Sequence, residues 1–221
     1  MLFLKIFDAK DEELEDLDET GAYVSPIPEN LKWRNWAEND EGITGDELIK
    51  FIDSELFRTL AELPGDGKRY AIIRDVFSGN NNYMKSGQLF RQVVNELNKI
   101  DFNTSKDKQV FGQVYESILQ ELQNAGKSGE FYTPRALTEF IADRVKPQIG
   151  EKILDPACGT GGFLTACIDY MRNAGVDILE KRTELQNSIK GMELKPLPYV
   201  LAVTNLILHD IEEPDLSLIH I

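Results

Sequence analysis

The sequence predicts an α + α/β protein, in which an N-terminal helical bundle is followed by the beginning of a doubly wound parallel sheet. Three observations predict this class. Apolar residues recur at helical spacing through about the first 125 residues. A strand, a glycine-rich turn and a helix then surround DPACGTGGF, and a second strand and helix follow. We expect a helical domain over residues 1–126 and an α/β domain over residues 127–221.

Composition limits the kind of protein this can be. The chain has 221 residues, of which 42% are hydrophobic, so it can bury a core. No apolar run approaches the roughly 18 residues of a membrane span, and the start lacks the pattern of a secretory signal. We expect a cytoplasmic protein without membrane contact.

Charge and metal-ligand residues exclude further classes. The formal charge of -14 opposes unaided binding to nucleic acid, so any DNA contact is expected to come from a local basic patch, a missing segment or a partner subunit. Cys158 and Cys167 are expected to be reduced, and neither they nor His209 and His220 have the spacing of a metal site. The acidic run DAKDEELEDLDE, residues 8–19, predicts a solvated helix face or tail.

The N-terminal helices follow from apolar periodicity. Residues 46–61 form one helix that Asp46 can cap, and Ser86 or Gly87 begins another. A third helix is expected from about Lys106 to Gln123. Between them, YVSPIPENLKW predicts an extended segment that Trp33 and Trp36 pin to the bundle. The apolar positions expected to face the core are Leu48, Ile49, Phe51, Ile52, Leu56, Phe57 and Leu60 in the first helix, Leu89, Phe90, Val93, Val94, Leu97 and Ile100 in the second, and Val110, Phe111, Val114, Tyr115, Ile118, Leu119 and Leu122 in the third.

The α/β domain begins with Thr133, which we expect to cap a helix with Pro134 at its first position. The strand EKILD, the glycine turn, a helix to about Asn173, the strand SIKGME and a helix from Pro196 to about His209 follow. The predicted sheet therefore has two parallel strands. Asn205, His209 and Asp210 end the last helix, where C-cap and surface roles are expected rather than catalysis.

The glycine turn predicts a ligand site. In parallel α/β folds the ligand lies beyond the carboxyl ends of the strands, and glycines let the backbone approach it. The pattern lacks the GK[ST] of a phosphate loop, and Asp155 would repel a pyrophosphate. It suits a cationic or hydroxyl-bearing nucleoside, whose ribose Glu193 could bind from the next strand. The alternative is that the glycines only permit tight packing of helix on strand.

Three segments carry a family resemblance. GEFYTPR, DPACGTGGFL and GMELKPLPYVLAVTNLILHDI occur in this order, and the helical part adds LFLKIFDAKDEE, IPENLKW and VFGQVYESIL. The chain resembles, over almost its whole length, the modification subunit of type I restriction-modification systems. These subunits are adenine-N6 DNA methyltransferases. The resemblance implies a Rossmann-like, S-adenosylmethionine-dependent methyltransferase domain in residues 127–221.

The resemblance also implies the site residues. The segment before the first helix of the α/β domain would lie across the cofactor pocket, the turn would hold the methionine moiety, and the next strand would bind the ribose. The implied cofactor contacts are Glu130, Phe131, Tyr132, Thr133, Pro134, Arg135, Asp155, Pro156, Ala157, Gly159, Thr160, Gly161, Gly162, Phe163 and Glu193. Arg135 has an alternative role as a surface partner of Glu139, and Tyr132 has one as a core aromatic.

The family pattern is incomplete in this chain. Adenine-N6 transfer in the family uses an Asn-Pro-Pro-Phe or Tyr loop that holds the flipped base, and no NPP or DPP tripeptide occurs in these 221 residues. No catalytic residue is therefore assigned, and we expect a truncated or split subunit that is inactive alone. The chain would contact DNA as part of an oligomeric complex with a specificity subunit and possibly a restriction subunit. A non-catalytic cofactor-binding or assembly module, and a helical adaptor, remain the alternatives.

Overall fold

The structure is a computed structural model that describes residues 1–79, 81–102, 115, 133–177 and 180–219. It divides into two compact units, residues 1–111 and 112–221. The expected boundary between residues 126 and 127 lies outside the described residues and stays a prediction. The expected fold class is confirmed, because the described part of the first unit is helical and the second carries a small parallel sheet.

The described part of the first unit consists of helices joined by turns. The helices are α1 (Leu2–Leu17), α2 (Trp33–Trp36), α3 (Gly45–Phe51), α4 (Phe57–Ala61), α5 (Lys68–Phe77) and α6 (Gly87–Asn98). A 3₁₀ turn, Glu29–Leu31, precedes α2, and a π-helical turn, Ile52–Leu56, joins α3 to α4. The expected helix over residues 106–123 lies outside the described residues except at Tyr115, which is helical and buried.

The π turn explains how a row of residues spaced by four stays in the core. Leu48, Ile52, Leu56 and Leu60 are each fully buried. In an α-helix each step of four residues drifts by about 40° around the axis, because a turn holds 3.6 residues. A π turn holds more residues, so it offsets this drift. The expected continuous helix is confirmed with this distortion, while its N-cap is Thr44 and not Asp46.

Helix α6 begins where the sequence predicts. Its first residue is Gly87, and the Ser86 hydroxyl caps it by accepting a hydrogen bond from the Leu89 backbone N–H. Phe90 and Val94 are buried, but Leu89 and Val93 are exposed although they were expected to face the core. Leu89 and Val93 each lie one residue before a buried position, which is about 100° around the helix axis. The face of α6 that is buried is therefore narrower than the face on which its apolar residues lie.

The tryptophan segment is buried as expected. Trp33 and Trp36 lie in the core with ring centroids 5.3 Å apart. The Trp33 indole N–H donates to Asn98 Oδ1 at 2.9 Å, which satisfies its polar edge. The segment before them is not wholly extended, because Glu29–Leu31 form the 3₁₀ turn.

The acidic run is not simply a solvated face, and this expectation was wrong for two of its acidic residues. Asp8 and Asp11 lie on the buried side of α1. Asp8 Oδ2 accepts from the Arg34 backbone N–H at 2.9 Å, and Asp11 Oδ1 accepts from Arg69 at 2.8 Å and from the Tyr23 hydroxyl. Partners distant in sequence allow these carboxylates to be buried.

The second unit alternates strands and helices. Its described elements are α7 (Arg135–Val145), β1 (Ile153–Asp155), α8 (Gly162–Asn173), α9 (Arg182–Gln186), β2 (Ile189–Glu193), α10 (Pro196–Leu208) and β3 (Asp215–Leu218). Across both units, no helix among the described residues is long and apolar enough to cross a membrane.

Among the described residues the sheet has three parallel strands in the order β1-β2-β3, so the expectation of two strands was wrong. Asp155 pairs with Gly191, and Gly191 pairs with Leu216. The segment Asp215–Leu218 is too short to give a clear periodic signal, and it forms a strand because β2 offers it a hydrogen-bonding edge.

The two faces of the sheet differ in exposure. Gly191 and Leu216 face inward, and a Cβ built on Gly191 would lie 3.1 Å from Leu164 of α8. Leu154 and Met192 alternate with these residues and are exposed. Helices therefore pack against one face only in the part of the chain that the structure describes.

Candidate functional site

The glycine turn joins β1 to α8 and needs left-handed backbone at two positions. Gly159 has φ of +57° and Gly161 has φ of +81°. Residues with a side chain rarely adopt these angles, so glycine is favoured at both positions. A Cβ at Gly159 would meet nothing within 4 Å, whereas one at Gly161 would lie 3.5 Å from Ala202 of α10. The turn is thus open at Gly159 and packed at Gly161.

Residues at the end of β2 hold the first half of the turn. The Cys158 N–H donates to the Met192 carbonyl at 2.9 Å, and the Gly159 N–H donates to Glu193 Oε2 at 2.8 Å. Within the turn, the Gly161 N–H donates to the Cys158 carbonyl at 2.8 Å. The shape of the turn therefore depends on the neighbouring strand.

The Glu193 carboxylate accepts hydrogen bonds from the backbone of the protein itself. Besides the Gly159 N–H on Oε2, its Oε1 accepts from the N–H groups of Leu194 and Lys195 at 2.8 and 2.9 Å. A carboxylate offers roughly four lone-pair positions. Three are used, which leaves room for about one further donor.

The second carboxylate at this edge is Asp155, the last residue of β1. Its Oδ1 accepts from the Ala157 N–H at 3.1 Å, and the side chain is half-buried. Burial, with the negative charges of Asp155 and Glu193, raises the pKa of the Cys158 thiol to about 12. A thiol with so high a pKa is protonated at neutral pH, so Cys158 is a poor nucleophile. Asp155 and Glu193 form an acidic rim on the turn.

A small cavity lies between the starts of α7 and α8. It has a volume of about 30 Å³, enough for about one water molecule. Thr138 approaches the turn here, since its Cγ2 would lie 3.8 Å from a Cβ on Gly162. The lining residues are Thr133, Arg135, Thr138, Gly162, Thr165, Ala166 and Asp169.

The start of α7 differs by one residue from the expectation. Pro134, not Thr133, is the N-cap, and Thr133 makes no side-chain capping bond. Pro134 has ψ of 139°, outside the helical region, and its carbonyl accepts from the N–H groups of Leu137 and Thr138. The first helical residue is therefore Arg135.

Arg135 pairs with acidic residues on two helices. Its Nε donates to Glu139 Oε1 at 2.8 Å, which is the surface pair weighed as its alternative role, and its Nη2 donates to Asp169 Oδ2 at 3.3 Å. Burial acts to raise the pKa of Asp169, but the contacts with His209, Arg172 and Arg135 together hold it below its ordinary value. Asp169 is thus a charged link between α7 and α8.

The expectation of C-cap and surface roles is met by His209, which is the C-cap of α10, and is wrong for the Asn205 side chain. Asn205 is only 6% exposed, and its Nδ2 donates to the Thr160 carbonyl in the glycine turn at 3.3 Å. Its position near the end of an apolar helix gave no signal of this contact, because the partner lies 45 residues earlier.

The structure brings most of the expected site residues together. Asp155, the turn and Glu193 lie at the carboxyl ends of β1 and β2. Within the turn and the start of α8, Thr160 is buried, Phe163 is half-buried, and Pro156 and Ala157 are exposed. Glu130, Phe131 and Tyr132 lie outside the described residues, so both weighed roles of Tyr132 stay predictions.

The chain matches two family models. The model described as N-6 DNA Methylase covers residues 106–221, and the one described as HsdM N-terminal domain covers residues 1–97. The EcoEI methylase subunit of a type I restriction enzyme from Escherichia coli is 50% identical over 217 residues, which are 97% of this chain and 44% of that protein.

Two solved structures share the fold of nearly the whole chain. A modification subunit of a putative type I restriction enzyme from Vibrio vulnificus YJ016 gives a TM-score of 0.82 at 40% identity, with 99% of this chain and 49% of that one covered. A chain from work on complex assembly and conformational transition of the type I R-M system gives 0.84 at 35% identity, with 99% and 44% covered. The chain spans about half the length of the relatives it matches.

Proposed function

Because the chain belongs to the N-6 DNA methylase family, as a modification subunit of type I restriction-modification systems, we propose that it supplies the S-adenosylmethionine site of a methyltransferase acting on adenine N6 in DNA. The observation that carries the proposal is the bond between the Gly159 N–H and Glu193, which joins the open part of the glycine turn to the end of β2.

The residues at the turn fit this cofactor. The space beside Gly159 admits a ligand close to the backbone, and Glu193 retains capacity for about one hydroxyl donor of a ribose. Asp155 and Glu193 make the rim negative, which suits an ammonium and a sulfonium better than a phosphate. The proposed contacts further include Pro156, Ala157, Thr160, Gly161, Gly162 and Phe163 at the turn, and Glu130, Phe131, Tyr132, Thr133, Pro134 and Arg135 before and at the start of α7.

The division of labour follows from the residues present. S-adenosylmethionine, when bound, supplies an electrophilic methyl group on sulfur. The residues of this chain bind and orient it, while a base-holding Asn-Pro-Pro loop is absent from these 221 residues. We propose that this chain does not catalyse methyl transfer alone. The base-holding loop and the contacts with DNA would be supplied by other parts of the complex.

The proposed setting is a cytoplasmic, oligomeric complex with a specificity subunit and possibly a restriction subunit. The similarity to a chain from work on complex assembly of the type I R-M system supports it. A second candidate, a non-catalytic cofactor-binding or assembly module, is favoured by the absence of the Asn-Pro-Pro loop. A helical adaptor would be favoured if saturating cofactor left the melting temperature unchanged.

The first prediction concerns cofactor affinity measured by isothermal titration calorimetry. We expect saturable S-adenosylmethionine binding by the chain, and about tenfold or greater weakening by Asp155→Ala and by Glu193→Ala, because each removes a carboxylate from the rim. Glu193→Ala is expected to be the more severe, since it also releases the Gly159 N–H.

Asp143→Ala is the matched control, because Asp143 is an exposed aspartate of the same unit that pairs with Arg144. Circular dichroism establishes that each variant is folded. A folded wild-type chain that shows no saturable binding, or equal weakening by Asp143→Ala, would contradict the proposed site.

A further inference from the structure

The peptide between Thr160 and Gly161 is the part of the turn that helix α10 holds. Its N–H is fixed by the Cys158 carbonyl at 2.8 Å, within the turn itself. Its carbonyl, that of Thr160, accepts from Asn205 Nδ2 at 3.3 Å. Glycines with positive φ flank Thr160 on both sides, so the local backbone alone restrains this peptide weakly.

The bond between Asn205 and Thr160 is shielded from water. Thr160 is 7% exposed and Asn205 is 6% exposed. Removing the Asn205 amide would leave the buried Thr160 carbonyl without a hydrogen-bond donor. An unpaired buried carbonyl lowers stability more than an exposed one, because water cannot replace the lost donor. The native orientation of the peptide is therefore favoured over a flipped one.

Helix α10 also lies close to the turn. A Cβ built on Gly161 would lie 3.5 Å from Ala202, which is three residues before Asn205 on the same helical face. The strand that precedes α10 ends at Glu193, which accepts from the Gly159 N–H. One βα unit thus forms hydrogen bonds with the turn at Gly159 and at Thr160 and lies beside it at Gly161.

We propose that Asn205 is a positioning residue for the candidate cofactor site, acting through the Thr160 carbonyl to fix the conformation of the glycine turn. This inference rests on the proposed function for its ligand. It assigns to α10 a part in cofactor affinity that its apolar sequence does not indicate. Asn205 itself makes no contact with the cofactor in this proposal.

The test compares Asn205→Leu, which keeps the approximate shape of the side chain and removes its donor, with Thr204→Val. Thr204 is the neighbouring buried polar residue, and its hydroxyl donates to the Val200 carbonyl within α10. Thr204→Val therefore removes a buried hydrogen bond from the same helix without touching the turn. Asn205→Ala is made alongside, in case the added apolar bulk of leucine prevents folding.

We expect both Asn205 variants to bind S-adenosylmethionine about tenfold more weakly by calorimetry, and Thr204→Val to remain within about twofold of wild type. Equal affinity losses in the Asn205 variants and Thr204→Val, at matched melting temperature, would show a general effect of helix stability and would overturn the inference.

Hydrogen exchange without ligand separates this inference from the proposed function. The Gly161 amide should exchange faster in the Asn205 variants than in wild type and in Thr204→Val, because the turn has lost one restraint. Unchanged exchange at Gly161 overturns the positioning role, whatever the chain binds. A wild-type chain that binds no S-adenosylmethionine overturns the proposed function and the cofactor role of Asn205 together.

Discussion

At the scale of single residues, Asp8 shows how burial changes a carboxylate. Burial raises its pKa to about 6, and its neighbours Asp11 and Glu12 add to this, although the Arg34 N–H and guanidinium oppose it. Because the folded pKa lies above the usual value near 3.8, the folded state binds the proton more tightly than the unfolded chain. The stability that the folded state gains from protonated Asp8 is therefore fully present below about pH 4, and it is lost as pH rises through about 6.

The second prediction is that Asp8→Asn removes this pH dependence. The free energy of unfolding of Asp8→Asn relative to wild type should rise between pH 4 and pH 7 by on the order of 2 kcal/mol, because the amide stays neutral. Urea denaturation at a series of pH values measures it. Asp16→Asn, an exposed position on the same helix, is the control and should show no such rise. A constant difference across this pH range for Asp8→Asn would refute the explanation.

Single residues also show what the sequence could and could not predict. Gly159, Gly161 and Glu193 were expected near a ligand, because glycine-rich turns and strand ends are local patterns. The bond between Gly159 and Glu193 and the bond between Asn205 and Thr160 were not predictable, since each joins residues more than 30 positions apart. Burial of Asp8 was missed for the same reason, because Arg34 is supplied by another helix.

At the scale of elements, the strands of the sheet have one buried and one exposed side. Leu154 is 62% exposed on β1, whereas Leu164 of α8 is fully buried against the other face. Both belong to apolar runs in the sequence, so their different environments follow from the position of α8 and not from their own chemistry.

The third prediction compares these two leucines. Leu164→Ala should lower the free energy of unfolding by about 2–5 kcal/mol, because it opens a cavity. Leu154→Thr should change it by less than about 0.5 kcal/mol, because the side chain meets solvent and threonine suits a strand. Urea midpoints at constant slope measure both. Comparable losses in the two variants would mean that the outer face of β1 is covered in solution.

Elements were predicted unevenly, for a physical reason. Helices α6, α8 and α10 begin and end close to their expected positions, because caps, prolines and 3.6-residue periodicity are encoded locally. The strand β3 was missed, since four residues carry little periodicity and their pairing with β2 is non-local. The π turn was also unforeseen, because it changes the spacing only slightly.

At the scale of the whole molecule, charge opposes contact with a polyanion. The chain has 24 basic and 38 acidic residues, a formal charge of -14. A complex with DNA would release few counterions unless basic residues clustered on one surface, and repulsion would act over about 8 Å at physiological salt.

The fourth prediction follows from this charge. Fluorescence anisotropy with a labelled 30-base-pair duplex, a length of about three helical turns, should show no binding at chain concentrations up to roughly 10 μM in about 150 mM salt. A basic DNA-binding domain serves as the positive control. Saturable binding that weakens steeply with salt would show that the chain carries its own basic surface and needs no partner for DNA contact.

Among the described residues, the hydrogen-bond partners that the glycine turn finds outside itself all follow it in the chain, and the last of them, Asn205, lies 45 residues after Thr160. During synthesis the turn is therefore made before the residues that shape it. At about 5–20 residues per second, the interval is several seconds. In that time the nascent segment lacks the hydrogen bonds that Glu193 and Asn205 supply. The site can mature only after translation passes α10, so pauses before that helix would delay its formation without affecting the first unit.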